Sequence, residues 1–217
     1  MFRSIIVATA LLFTAVQAQA APIIYDFEGE ATTGTSGALT VLVLTEGGVT
    51  MTLTRELSTP FDIDDLSPFV GLGVPASWGS RSLDPFFADF SPTAFIADFS
   101  IPLASFSIEA GDFTPSDIDF LQIQAYSGPN ATGVLLDTFI SPLCCFSGSP
   151  VFEFLSGSVT GSNIASVRFI GGSTIFPNSM YYDNITVDAV PEPASLLLLG
   201  TGLAGGVRRW RKRRSNA

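Results

Sequence analysis

Along the middle of this chain, apolar positions alternate with polar ones over short runs, and no helical period is sustained. In "LQIQAY", Leu121, Ile123 and Ala125 fall on one side, while Gln122, Gln124 and Tyr126 fall on the other, as expected of a strand with one face buried. The runs "TVLVLT", "VTMTLTRE", "FIADFSI", "LASFSIEA", "GVLLDTFIS", "VFEFL", "IASVRFI" and "MYYDNITV" repeat the pattern between segments rich in Gly, Pro, Ser and Asn. About nine or ten such strands predict an all-β fold, an antiparallel two-sheet sandwich of jelly-roll type closed by its first and last strands. Residues Leu66 to Thr93 form the longest stretch without clear alternation, which predicts a loop capping the sandwich.

The two ends break this pattern. Arg3, the apolar run "SIIVATALLFTAV" and the small residues of "AQAAP" have the order of a secretory signal peptide, placing residues 1–21 outside the mature fold. At the other end the apolar stretch Ala194 to Val207 would span about 21 Å as a helix, short of a hydrocarbon core of about 30 Å. Pro191 and Pro193 precede it and four glycines interrupt it, which weakens a helix further. The cluster Arg208, Arg209, Arg211, Lys212, Arg213 and Arg214 marks the cytoplasmic side. A single short transmembrane helix holding an exported body follows.

Three consecutive features, Val190-Pro191-Glu192-Pro193, the run "LLLLGTGLAGG" and the basic "RRWRKRR", resemble the PEP-CTERM sorting signal of Gram-negative bacteria that make exopolysaccharide. The resemblance covers residues 191–217 and the valine before them. It implies recognition by exosortase, a membrane transpeptidase-like protease that cuts at or near the motif. It also implies transient residence in the inner membrane, then release or transfer to the cell surface or matrix.

Between the ends lies one expected domain, residues 22–190, long enough for a real core. Its charge differs sharply from that of the whole chain, whose formal net is −10. The body keeps only Arg55, Arg81 and Arg168 against nineteen acids, a net of −16. Such a surface repels nucleic acid and anionic membrane and attracts divalent cations.

The catalytic inventory is thin. The chain has no histidine, and its one lysine is Lys212, so histidine triads and lysine bases are unavailable to the body. A carboxylate pair suited to glycoside hydrolysis arises by chance among nineteen acids, so a non-catalytic protein is expected. Cys144 and Cys145 are adjacent and read as two thiols; a vicinal or intermolecular disulfide is the alternative. The candidate cofactor is structural calcium. In "YYDNITV" strand alternation sets Asp183 on the side of Ile185 and Val187, where a carboxylate needs a partner. Pairing of the first and last strands would bring Glu28 to it, an arrangement that resembles the structural calcium site of many carbohydrate-binding β-sandwiches. "GDFTPSDID" adds Asp112, Asp117 and Asp119, and "DIDD" adds residues 62–65. Trp78 and Tyr126 are the candidate sugar-stacking rings. The expected role is that of an exosortase-sorted surface or matrix protein that binds exopolysaccharide without catalysis. A glycan-active enzyme and a purely structural surface protein are the alternatives.

Overall fold

Seven residues of alternating character, Val49 to Arg55, show how this sequence makes its sheets. Val49, Met51 and Leu53 are buried while Thr50, Thr52 and Thr54 face outward, because successive side chains of a strand point to opposite faces. Arg55 occupies the next inward position. Its guanidinium donates to the carbonyls of Pro60 and Pro85 and to the Thr93 hydroxyl and lies 5.4 Å from the centre of the Phe95 ring. The inward charge is thus satisfied by local acceptors and an aromatic face.

The computed structural model describes residues 21–34, 37–69, 71–85, 92–113, 117–144 and 152–190. The expected signal peptide through residue 20 lies outside them. So do Pro191, Glu192, Pro193, the expected membrane helix at 194–207 and the basic tail from Arg208 to Arg214. Among the described residues no helix is long and apolar enough to cross a membrane.

Residues 21–190 form one compact unit. Its strands are β1 (Ile23–Tyr25), β2 (Val41–Glu46), β3 (Val49–Arg55), β4 (Asp62–Asp65), β5 (Arg81–Asp84), β6 (Phe95–Phe113), β7 (Phe120–Gly128), β8 (Thr132–Ile140), β9 (Phe152–Gly172) and β10 (Tyr181–Ala189). All pairings are antiparallel. β6 and β9 run 19 and 21 residues, about three times a usual strand, and they pair along nearly their whole length. The first part of β6 lies beside β3, and its second part lies beside β10. The end of β9 pairs with β7, which pairs with β8. One layer is therefore β2, β3, early β6, late β9, β7 and β8. The other is β4, β5, β10, late β6 and early β9, with β1 on the same side of β10 as β5.

"FIADFSI" with "LASFSIEA", and "VFEFL" with "IASVRFI", were each expected as two strands; each pair is one. The join in β6 contains Pro102, and the register with β9 shifts between Asp98 and Leu103 and again before Ser105. Proline has no N–H to give the ladder, so the strand bends there and continues into the second layer. Inside the bend, Phe95 and Phe169 of one layer pack edge-on against Tyr182 of the other. Ile123 and Phe139 lie over Gly157, where a β-carbon would stand 2.4 Å from the Phe139 ring. The expected pairing of first and last strands is present, with Tyr25 opposite Ile185.

The loop from Leu66 to Trp78 packs outside this core. Leu66, Trp78, Phe152 and Tyr181 form a second apolar cluster with Phe69, Val74 and Phe113. Gly111 is required beneath it, because a β-carbon there would lie 2.0 Å from the Phe152 ring.

Candidate functional site

Two acidic groups and one cleft concentrate the polar chemistry of the body. In the first group a bulge overturns the alternation expected for β10. Asp183 pairs with Glu109 and Thr186 with Ser107, so two residues of β10, Asn184 and Ile185, lie opposite the single Ile108 of β6. The extra residue is Asn184, at φ 48°, a left-handed conformation that asparagine tolerates better than most residues. Past the bulge Ile185 and Val187 turn into the core. Asp183 does not share their side; it faces outward with Glu109 and is then covered, at 0 % exposure. Its Oδ1 accepts the Asn184 N–H, and its Oδ2 has no hydrogen-bond partner. Burial, aided by the negative charges of Asp26, Glu28 and Glu109, pushes its pKa up to about 9.

The neighbours of Asp183 are committed. Glu28 accepts hydrogen bonds from the backbone N–H groups of Ser80 and Arg81 and from the Ser80 hydroxyl. Partial burial works against its charge, but these bonds and the Arg81 charge prevail and hold the carboxyl below its usual value. Glu109 Oε2 accepts from Trp78 Nε1 at 2.8 Å and from Asn184 Nδ2 at 2.7 Å. Trp78 is 0 % exposed, so its ring has no free face for a sugar: it anchors the capping loop. Tyr126 is half-buried on the outer face of β7, opposite Leu135 of β8 and Ser166 of β9.

The second group lies where β6 passes to β7. Asp112 continues the inward-facing series Ile108 and Ala110 of β6, and Asp119 precedes Leu121, Ile123 and Ala125 on the inward side of β7. Carboxylate oxygens of Asp112, Asp117 and Asp119 lie within 4.8 Å of one another. Asp119 is held by two backbone hydrogen bonds with Cys144. Burial, reinforced by neighbouring acids including Glu153, raises Asp112 to about 6 and Asp119 to about 7. Asp62 of the "DIDD" segment serves a different end, accepting from the Thr33 hydroxyl and the Gly37 and Ala38 amides. Cys144 is disulfide-bonded, which corrects the expectation of two thiols. In a chain of two cysteines its only intrachain candidate partner is Cys145, outside the described residues.

A cleft of about 480 Å³ opens on the outer face of β6, β9 and β10, lined among others by Ser107, Glu109, Ser156, Ser158, Asn184 and Thr186. Two residues from Ser156 on the same strand face stands Phe154, 42 % exposed. Sequence reasoning missed this ring, although alternation in "VFEFLSGS" places Phe152, Phe154, Ser156 and Ser158 on one side.

Pairing with β6 shifts register between Asp188 and Ala189 but continues to Val190, whose N–H donates to the Pro102 carbonyl at 3.1 Å. Residues 189–214 match the PEP-CTERM protein-sorting motif. The chain carries a PEP-CTERM sorting signal. That signal marks an exported exosortase substrate, and the Val190 bond shows that the fold reaches to the start of its Val-Pro-Glu-Pro sequence. Two solved structures are similar to this chain. The K3 cleaved adhesin domain of Lys-gingipain from Porphyromonas gingivalis w83 is 12 % identical, with a TM-score of 0.35 over 59 % of this chain and 89 % of that one. The CBM22-1 xylan-binding domain of Paenibacillus barcinonensis Xyn10C is 13 % identical, with a TM-score of 0.34 over 82 % and 100 %. No curated protein matches the chain in sequence.

Proposed function

We propose that the processed protein is a non-catalytic surface or matrix component that binds exopolysaccharide along the cleft of β6, β9 and β10. The observation that carries this reading is an exposed aromatic, Phe154, beside a row of hydroxyl, amide and carboxylate groups. An apolar ring suits the C–H face of a sugar, and the flanking polar groups suit its hydroxyls. With a body charge of −16 the ligand is a neutral polysaccharide, since an anionic one would be repelled. Catalysis is disfavoured because the most perturbed carboxyls, Asp119 and Asp183, are both 0 % exposed and out of reach of a polymer. In this reading the sandwich is of jelly-roll type, and residues 194–207 hold the chain in the inner membrane until exosortase cuts near Val190–Pro193.

The test is retention on immobilised neutral and anionic polysaccharides. Phe154→Ala, at an exposed position, is expected to keep the melting temperature and weaken retention on the neutral matrix at least tenfold; Ser158→Leu, which fills the cleft, does likewise. Wild-type retention by both variants removes the cleft from the proposal. Release of reducing sugar by the wild-type protein would establish an enzyme instead.

A further inference from the structure

The Asp112, Asp117 and Asp119 group is an arrangement that folding should avoid unless something else binds there. Asp119 is 0 % exposed, yet neither of its carboxylate oxygens has a hydrogen-bond partner, and Asp117 Oδ2 is likewise buried without one. Burying a polar atom without a partner is costly, and gathering three carboxylates adds mutual repulsion. The arginines of the body give no relief. Arg55 serves Pro60, Pro85 and Thr93; Arg81 serves the carbonyls of Glu28 and Glu30; Arg168 pairs with Glu56.

We propose that Asp112, Asp117 and Asp119 bind one calcium ion that ties late β6 to the start of β7, and so one layer of the sandwich to the other. Oxygens within 4.8 Å of one another can share one ion, since Ca–O bonds are about 2.4 Å. The donor set is oxygen alone, with neither histidine nor thiolate, which selects a hard cation over zinc. Calcium suits it better than magnesium, because calcium accepts six to eight ligands in irregular geometry whereas magnesium demands a near-ideal octahedron. Glu153, opposite Asp112 in the ladder, is available as a further carboxylate. This site lies apart from the Glu28 and Asp183 pair, where Glu28 already has three protein donors.

The test uses the detergent-solubilised full chain, stripped with a chelator and held at constant ionic strength. Calorimetric titration with calcium chloride is expected to show one ion per chain, with a dissociation constant near 10⁻⁴ M, in the range of extracellular modules. The melting temperature is expected to rise with calcium, less with magnesium, and not with an ionically equivalent addition of sodium chloride. Asp119→Asn is expected to weaken calcium binding at least tenfold. Should that variant fail to fold, Asp117→Asn, at a half-exposed position, decides with the same expected loss. Asp183→Asn is expected to bind as wild type. Equal responses to sodium and calcium would overturn the proposal as surface screening alone. It would be overturned equally by unchanged binding in Asp117→Asn, or by loss in Asp183→Asn but not in Asp117→Asn.

Discussion

Asp183 joins an outward-facing strand position, a covering loop and a carboxyl that keeps its proton. Its pKa rises from the ordinary 3.8 to about 9, chiefly through burial. Below the lower value both folded and unfolded chains hold the proton, and the group leaves stability unchanged. Between the two values the folded chain keeps a proton that the unfolded chain releases, so stability falls as pH rises, by up to about 1.4 kcal/mol per pH unit. Glu28 and Glu56 act oppositely, because their folded values are lowered, but their contribution is lost only in the acid range. In chelated protein, urea midpoints are therefore expected to drop from pH 5 to pH 8, and Asp183→Asn to flatten that slope and raise the midpoint at pH 8. A slope unchanged in the variant would assign the effect to other acids. None of this was legible in the alternation of "YYDNITV", which records neither the left-handed turn at Asn184 nor the loop closing over it.

The bulge itself is a property of the element. Asn184 holds φ at 48° and donates to the Ser77 carbonyl and to Glu109, so it joins β10 both to the capping loop and to β6. Asn184→Gly and Asn184→Val lose the same amide contacts, but only valine must also strain the backbone. Equilibrium urea unfolding is expected to find the valine variant less stable than the glycine variant by about 1–2 kcal/mol or more. Equal stabilities would mean that the bulge relaxes at little cost. At this scale the sequence was readable where a rule is local. Leu121, Ile123 and Ala125 are buried while Gln122, Gln124 and Tyr126 face out, as alternation requires. It was unreadable where geometry is decided by distant partners. Pro102 looks like a strand terminus, yet the neighbouring ladders carry β6 through it, and Asp119 meets Asp112 only because β7 returns on the opposite layer.

For the whole molecule, the decisive boundary is at Val190, the last of the described residues, which has a backbone bond to the sheet and starts the Val-Pro-Glu-Pro sequence. Intact-mass measurement on protein from the native host is expected to show the segment from Arg208 to Ala217 missing from most molecules. In a host without exosortase, the full chain is expected in the inner membrane. A tail retained in the native host would separate the motif from cleavage. The position of β10 carries a mechanical consequence. Residues Tyr181–Ala189 run antiparallel along late β6, with β1 and β5 on the other side. A pull applied at Val190 along the strand axis therefore loads those hydrogen bonds side by side, in shear. The edge hairpin of β7 and β8, pulled apart from its end, would instead open one pair at a time. A body tethered by its C-terminal side meets traction with the strand that must break many bonds together before it yields.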